Sequence, residues 1–171
     1  MDDKFLKVQE WIKRIPVTDN PFDKHNMLDE EINWDVWINE GKKIRKIEEI
    51  LLEMLNDDKF RSDKILILVA IGLIGSRKSY SDLIHFAKDE NVLVRIEAIT
   101  AIGNLKLQEA VEFLCELSND KDQNVRANVF VALGKLKGEK AFQCLRNGLN
   151  DSVQFVRNAA KTAIESYRKN N

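Results

Sequence analysis

The stretch DQNVRANVFVALGKL, residues Asp122 to Leu136, decides how the rest of the chain is read. Its apolar residues return at helical spacing, with none of the strict alternation of a strand. Arg126 breaks the apolar character near the start, and Gly134 stands near the end. Glycine weakens a helix interior by about 1 kcal/mol relative to alanine, so both residues need a reason. Neighbouring stretches supply it. ENVLVRIEAITAIGNL, from Glu90, and DSVQFVRNAAKTAIESY, from Asp151, carry closely similar arrangements before and after.

Laid in register, the chain repeats every 31 residues. Asp58, Asp89, Asp120 and Asp151 keep that step, as do Leu52, Leu83, Leu114 and Leu145. Ala70, Ala101, Ala132 and Ala163 form a third column. Arg95, Arg126 and Arg157 form a fourth, with Lys64 in the corresponding earlier place. Gly72, Gly103 and Gly134 form a fifth, which gives way to Glu165. Four units follow, 45–75, 76–106, 107–137 and 138–168, each with two helical patterns joined by a short polar turn. A single unit of this size cannot bury its apolar face alone, so the units must stack.

The D-x5-[RK]-x5-A-x-G pattern, carried by Asp89, Arg95, Ala101 and Gly103 and again by Asp120, Arg126, Ala132 and Gly134, resembles the short HEAT-like repeats of phycobilin lyases and many bacterial helical-repeat proteins. The resemblance covers about residues 45–168 and implies an all-α fold: a right-handed α-solenoid of four 31-residue HEAT-like helix pairs with an N-terminal helical cap. Function does not follow from it, because this scaffold serves unrelated tasks.

Physical roles for the columns can be argued without the family. Aspartate at the end of the turn accepts hydrogen bonds from free amides at the start of the second helix, and its charge suits that end of the helix dipole. Arginine six positions on reaches a neighbouring unit's aspartate or carbonyls, making a ladder of Asp58, Asp89, Asp120 and Asp151 with Arg95, Arg126 and Arg157. Alanine permits close helix packing, and glycine either allows near backbone contact or loosens the last helical turn. In the final unit Glu165 replaces the glycine, Tyr167 replaces a leucine, and SYRKNN closes in polar residues, as a terminal cap requires.

Residues 1–44 fit no register and are read as the N-terminal helical cap, continuous with the array of 45–171. DKFLKVQEWIKRI places Phe5, Val8, Trp11, Ile12 and Ile15 on one helical face, ending at Pro16. PVTDNPFDKHN reads as a loop, and LDEEINWDVWINEG as a second helix from an Asp29 cap to Gly41. All three tryptophans, Trp11, Trp34 and Trp37, lie in this segment. The array offers them a partner: KILILVAIGLIG in unit one is apolar all round, and such a helix is expected to be covered all round. Either the tryptophan-bearing helices pack over it, or Leu66, Val69 and Leu73 form an open apolar binding patch.

Composition narrows the functions. With 171 residues and 44% hydrophobic content the chain can bury a core. Its 27 Lys plus Arg and 28 Asp plus Glu leave a net charge of -1, which makes nucleic acid an unlikely partner. No apolar run reaches the roughly 18 residues that span a bilayer, and the first residues lack a secretory leader, so a cytoplasmic protein with no membrane partner is expected. Cys115 and Cys144 are read as buried free thiols. His25 and His85 have no metal-ligand spacing, and no phosphate-binding glycine loop or nucleophile elbow occurs, so neither a catalytic residue nor a cofactor is expected. The basic run at Lys42, Lys43, Arg45 and Lys46 has Glu48, Glu49 and Glu53 within pairing distance along a helix.

What remains is surface. In stacks of this kind the second helices line the concave side, leaving Glu97, Thr100 and Asn104, then Asn128, Val131 and Lys135, then Asn158, Thr162 and Ser166 between the core columns. They make either a groove for another protein or a solvated face. The reading adopted is a non-enzymatic adaptor binding a protein partner there, in one version a bacterial immunity or regulatory protein. A chromophore-handling subunit like the phycobilin lyases is the competing class.

Overall fold

The computed structural model describes residues 3–14, 34–44 and 46–170, with the backbone alone at 34, 35, 37 and 170. Among the described residues ten α-helices run in chain order: α1 Asp3–Ile12, α2 Trp34–Lys43, α3 Ile47–Leu55, α4 Lys64–Ile74, α5 Tyr80–Phe86, α6 Val92–Asn104, α7 Val111–Leu117, α8 Gln123–Leu133, α9 Glu139–Gly148 and α10 Gln154–Asn170. Short 3-10 turns precede α4, α5 and α7, and no strand occurs among the described residues. From α3 onward the helices fall into antiparallel pairs stacked side by side, an α-solenoid.

The two layers of the stack differ. Second helices α4, α6, α8 and α10 pack on one another more extensively than the first helices do, so they form the inner, tighter row. The glycine column explains the tightness. A Cβ on Gly103 would lie 2.9 Å from Ala132 Cα, and one on Gly72 would lie 3.0 Å from Ala101 Cα. Gly134 meets Ala163 in the same way. Of the two roles open to these glycines, close approach is the one found.

The outer row is looser, and one covalent bond bridges it. Cys115 of α7 and Cys144 of α9 are joined as a disulfide, with Cα atoms 5.8 Å apart. The expectation of two free buried thiols is overturned. The cysteines occupy different register columns, Cys115 aligning with Arg146 and Cys144 with Phe113, yet adjacent outer helices bring them together.

Before the pairs, α1 lies against α3 and α4 with Val8 and Ile12 fully buried and Trp11 nearly so. Phe5 meets Phe60 at 5.6 Å between ring centroids, and Gln9 Nε2 donates to Asp63 Oδ2 at 2.6 Å. Helix α2 touches α4, and Trp11 occupies the space a side chain at Gly41 would need. This helix runs past Gly41 to Lys43, two residues beyond the expected end. Leu66, Val69 and Leu73 of α4 are half-buried against the core. Ile15, Pro16, the loop, His25 and the Asp29 cap fall outside the described residues, as do the side chains of Trp34 and Trp37.

The last described pair departs from the others. Phe130 packs on Gly148 of the next pair, where an added Cβ would lie 2.6 Å from its ring. Leu68 and Ile99 hold the same register position and are fully buried. In the last pair this position is Lys161 and the glycine position is Glu165, both exposed.

Candidate interaction surface

Two of the ladder's rungs connect neighbouring units. Arg126 donates from Nε to Asp151 Oδ2 at 2.8 Å and from Nη2 to Asp151 Oδ1 at 3.0 Å. Its Nη1 donates to Asp120 O at 3.0 Å, so one guanidinium ties its own turn to the next unit. Arg95 repeats this toward Asp120, through Nη2 to Oδ1 at 3.2 Å, with Nε 3.1 Å from Oδ2, and donates from Nη1 to Asp89 O and Glu90 O. These side chains are nearly shielded from solvent, at 6% and 11% exposure for the Arg95 pair and 13% and 10% for the Arg126 pair. Hydrogen bonding from Arg126 holds the Asp151 carboxyl below its ordinary value, and the same bond pushes the guanidinium up. Arg157 donates within its own unit, to Asp151 O and Gln154 Oε1, both at 2.6 Å.

The aspartates cap differently from the expectation. Asp89, Asp120 and Asp151 each accept from the amide two residues on, that of Asn91, Asp122 or Val153, which lies in the turn before the helix. The N-cap role passes to Asn91, which accepts from Leu93 N, and to Asp122, which accepts from Asn124 N and Val125 N. Unit one departs further. Asp58 sits inside a 3-10 turn, Asp57 accepts from Lys59 N, and Lys64, in the arginine place, lies 4.8 Å over the Phe86 ring. Beside this interrupted rung, Arg61, His85, Lys88, Asp89, Glu90 and Asn91 line an open cleft of about 700 Å³. The repeat columns carried no signal of this cleft, whose lining residues other than Asp89 lie outside them.

The acidic residues expected to pair with the basic run are engaged elsewhere. Glu48 accepts from Ser76 N and from the hydroxyls of Ser76 and Ser79, Glu49 lies 3.6 Å from Lys78 Nζ, and Glu53 binds Lys4 at 2.9 Å. Lys42, Lys43 and Lys46 are exposed, and Arg45 falls outside the described residues.

On the inner face the expected groove residues divide. Glu97 is 4% exposed and belongs to the packed interior, not to an open groove, because α6 is buried almost continuously from Val94 to Ile99 between its neighbours. Asn128 is half-buried and donates to Asn124 O on its own helix. Asn158 is exposed and accepts from Gln154 Nε2. Thr162 is exposed, Ser166 and Thr100 are half-buried, and Val131 is 40% exposed. Lys135 is half-buried, and its Nζ donates to the exposed Asn104 Oδ1 at 2.6 Å across the unit boundary. Burial pushes the Lys135 ammonium pKa down. The residues of this face exposed to solvent are Asn104, Val131, Asn158 and Thr162, with Lys135 half-buried beside Asn104.

No group of histidine, cysteine and carboxylate side chains suited to a metal ion occurs among the described residues. None of the described helices is long and apolar enough to cross a membrane.

The sequence matches the HEAT-repeat family over residues 48–118 and again over 82–165. The chain therefore belongs to the HEAT-repeat proteins, which the stacked helix pairs also display. No curated protein matches the chain.

Proposed function

We propose that this protein is a non-enzymatic interaction module whose inner face binds a partner protein. The observation that carries the reading is the exposed aliphatic side chain of Val131 between Thr100 and Thr162, on a row of helices held rigid by the glycine contacts and the arginine ladder. Rigid helices hold such a surface in place without ordering on binding, which lowers the entropic cost of association. The test is site-specific photo-crosslinking in the host: a photoreactive residue at Val131 should trap a protein adduct, and one at Gln143 on α9 should not. Absence of any adduct from position 131 defeats the proposal.

In finer form, the array comprises four HEAT-like units, 45–75, 76–106, 107–137 and 138–168, and residues 1–44 serve as a cap on the first. The burial of Val8, Trp11 and Ile12 against α3 and α4 supports the cap. Removal of residues 1–40 should then cause aggregation or loss of a cooperative melt; an unchanged soluble fold would contradict it. We further propose a bacterial immunity or regulatory role in the cytoplasm. The Cys115–Cys144 bond weighs against that compartment, because persistent disulfides are rare there. Mass-spectrometric thiol counting on protein drawn from its host decides the point: free thiols fit the cytoplasm, and a retained bond fits an oxidising compartment.

A further inference from the structure

The inner face carries two adjacent rows in register. Val69, Thr100, Val131 and Thr162 form one, and Leu73, Asn104, Lys135 and Ser166, one helical turn on, form the other. Val131 is the exposed aliphatic residue of the first row, and Lys135 is the cation of the second. Val131 lies in the last turn of α8, and Lys135 follows in the turn just past the helix end, its amide donating to Ala132 O at 3.0 Å, four residues along the chain from Val131.

The posture of Lys135 is unusual for a surface lysine. Its stem leans back over α6, with Cδ 3.6 Å from the place a Cβ on Gly103 would take, and its ammonium ends on Asn104 Oδ1. The lysine stem thus runs in van der Waals reach of the same inter-unit contact that tightens the stack. Among the described residues the ammonium has an amide oxygen and no carboxylate in ion-pair contact. It offers three donors, and Asn104 takes one of them. Burial lowers its pKa, the sign of a charge without full compensation.

We propose that Val131 and Lys135 form a two-point docking site for a protein segment that carries a carboxylate about one helical turn from an aliphatic side chain. The aliphatic group covers Val131 between the two threonines, and the carboxylate takes up the free donors of Lys135. A charged hydrogen bond in a half-desolvated place fixes register and rejects partners that lack the acid. This rests on the inner-face reading above and adds the chemistry of the partner to it.

The probe is a phage-displayed library of random linear peptides selected on the full chain, with the selected peptides then synthesised for fluorescence-polarisation titration. Selected peptides should share a carboxylate next to an aliphatic residue. Affinity should fall on the order of ten-fold or more both on Lys135→Met, which keeps the stem that covers Gly103, and on replacing the peptide's acid by its amide. The two losses should not add, because each removes the same contact. Peptides that lose binding on Val131→Asp but are indifferent to Lys135→Met, or bind without an acid, overturn the carboxylate site and leave the inner-face reading standing. Peptides indifferent to Val131→Asp as well, or a selection that returns no binder, count against both.

Discussion

At the scale of single residues, the pair Arg126 and Asp151 shows how a charge is kept inside a helical stack. The guanidinium is satisfied by a carboxylate on one side and a backbone carbonyl on the other, so neither ion is left uncompensated. Arg126→Met should destabilise the protein by roughly 3 kcal/mol in urea unfolding at neutral pH, since it strands a buried carboxylate. The pH dependence follows from the direction of the Asp151 shift. A carboxyl held below its ordinary value of 3.8 stabilises the fold above that pH, and the contribution is lost as pH falls through the depressed folded value. The gap in stability between wild type and Arg126→Met should therefore be constant near neutrality and shrink below about pH 4. A gap that widens in acid would contradict the pairing. The two rungs Arg95–Asp120 and Arg126–Asp151 involve residue types that recur with a fixed step in the sequence, whereas Asp58 and Arg157 of the expected ladder make no such rung. The N-caps were not legible in the sequence, because that position holds Asn91, Asp122 and Val153 in successive units and presents no recurring type.

At the scale of elements, the inner helices are spaced by glycine meeting alanine, and the outer ones by bulkier contacts and one disulfide. Gly103→Ala should lower stability by about 1–3 kcal/mol despite alanine's better helix propensity, because its Cβ meets the Ala132 backbone, which cannot swing aside. A stabilised Gly103→Ala variant in urea titration would mean that the rows are looser than described. Reduction, or Cys144→Ser, should cost about 3–4 kcal/mol through loss of a covalent loop between residues 29 apart, visible as a lower thermal midpoint. The disulfide escaped sequence reasoning because the two cysteines sit two positions out of register. Only the lean of α7 against α9 brings them together. Glu97 escaped it for a related reason: periodicity identifies a face of α6 but does not tell how closely its neighbours close over that face.

At the scale of the whole molecule, the helix order and the division into pairs were legible from five columns, whereas the cleft beside Asp89 and the fate of Glu48 and Glu53 were not. Those depend on which side chains win among several partners within reach, and spacing alone cannot rank them. The last described pair gives a test of the stacking logic. Lys161 and Glu165 stand where the other units present a large apolar side chain and a glycine. The double substitution Lys161→Leu with Glu165→Gly should create a sticky end and drive concentration-dependent self-association, measurable by light scattering after size exclusion. A protein that stays monomeric would show that charge at these positions is incidental.

The disulfide has a mechanical meaning as well. A solenoid bends by opening and closing the spacing of its outer helices while the inner row acts as a hinge line. The Cys115–Cys144 bond fixes that spacing between α7 and α9, so the C-terminal half behaves as a clamped coil. The spacings between α3 and α5 and between α5 and α7 carry no such bond among the described residues.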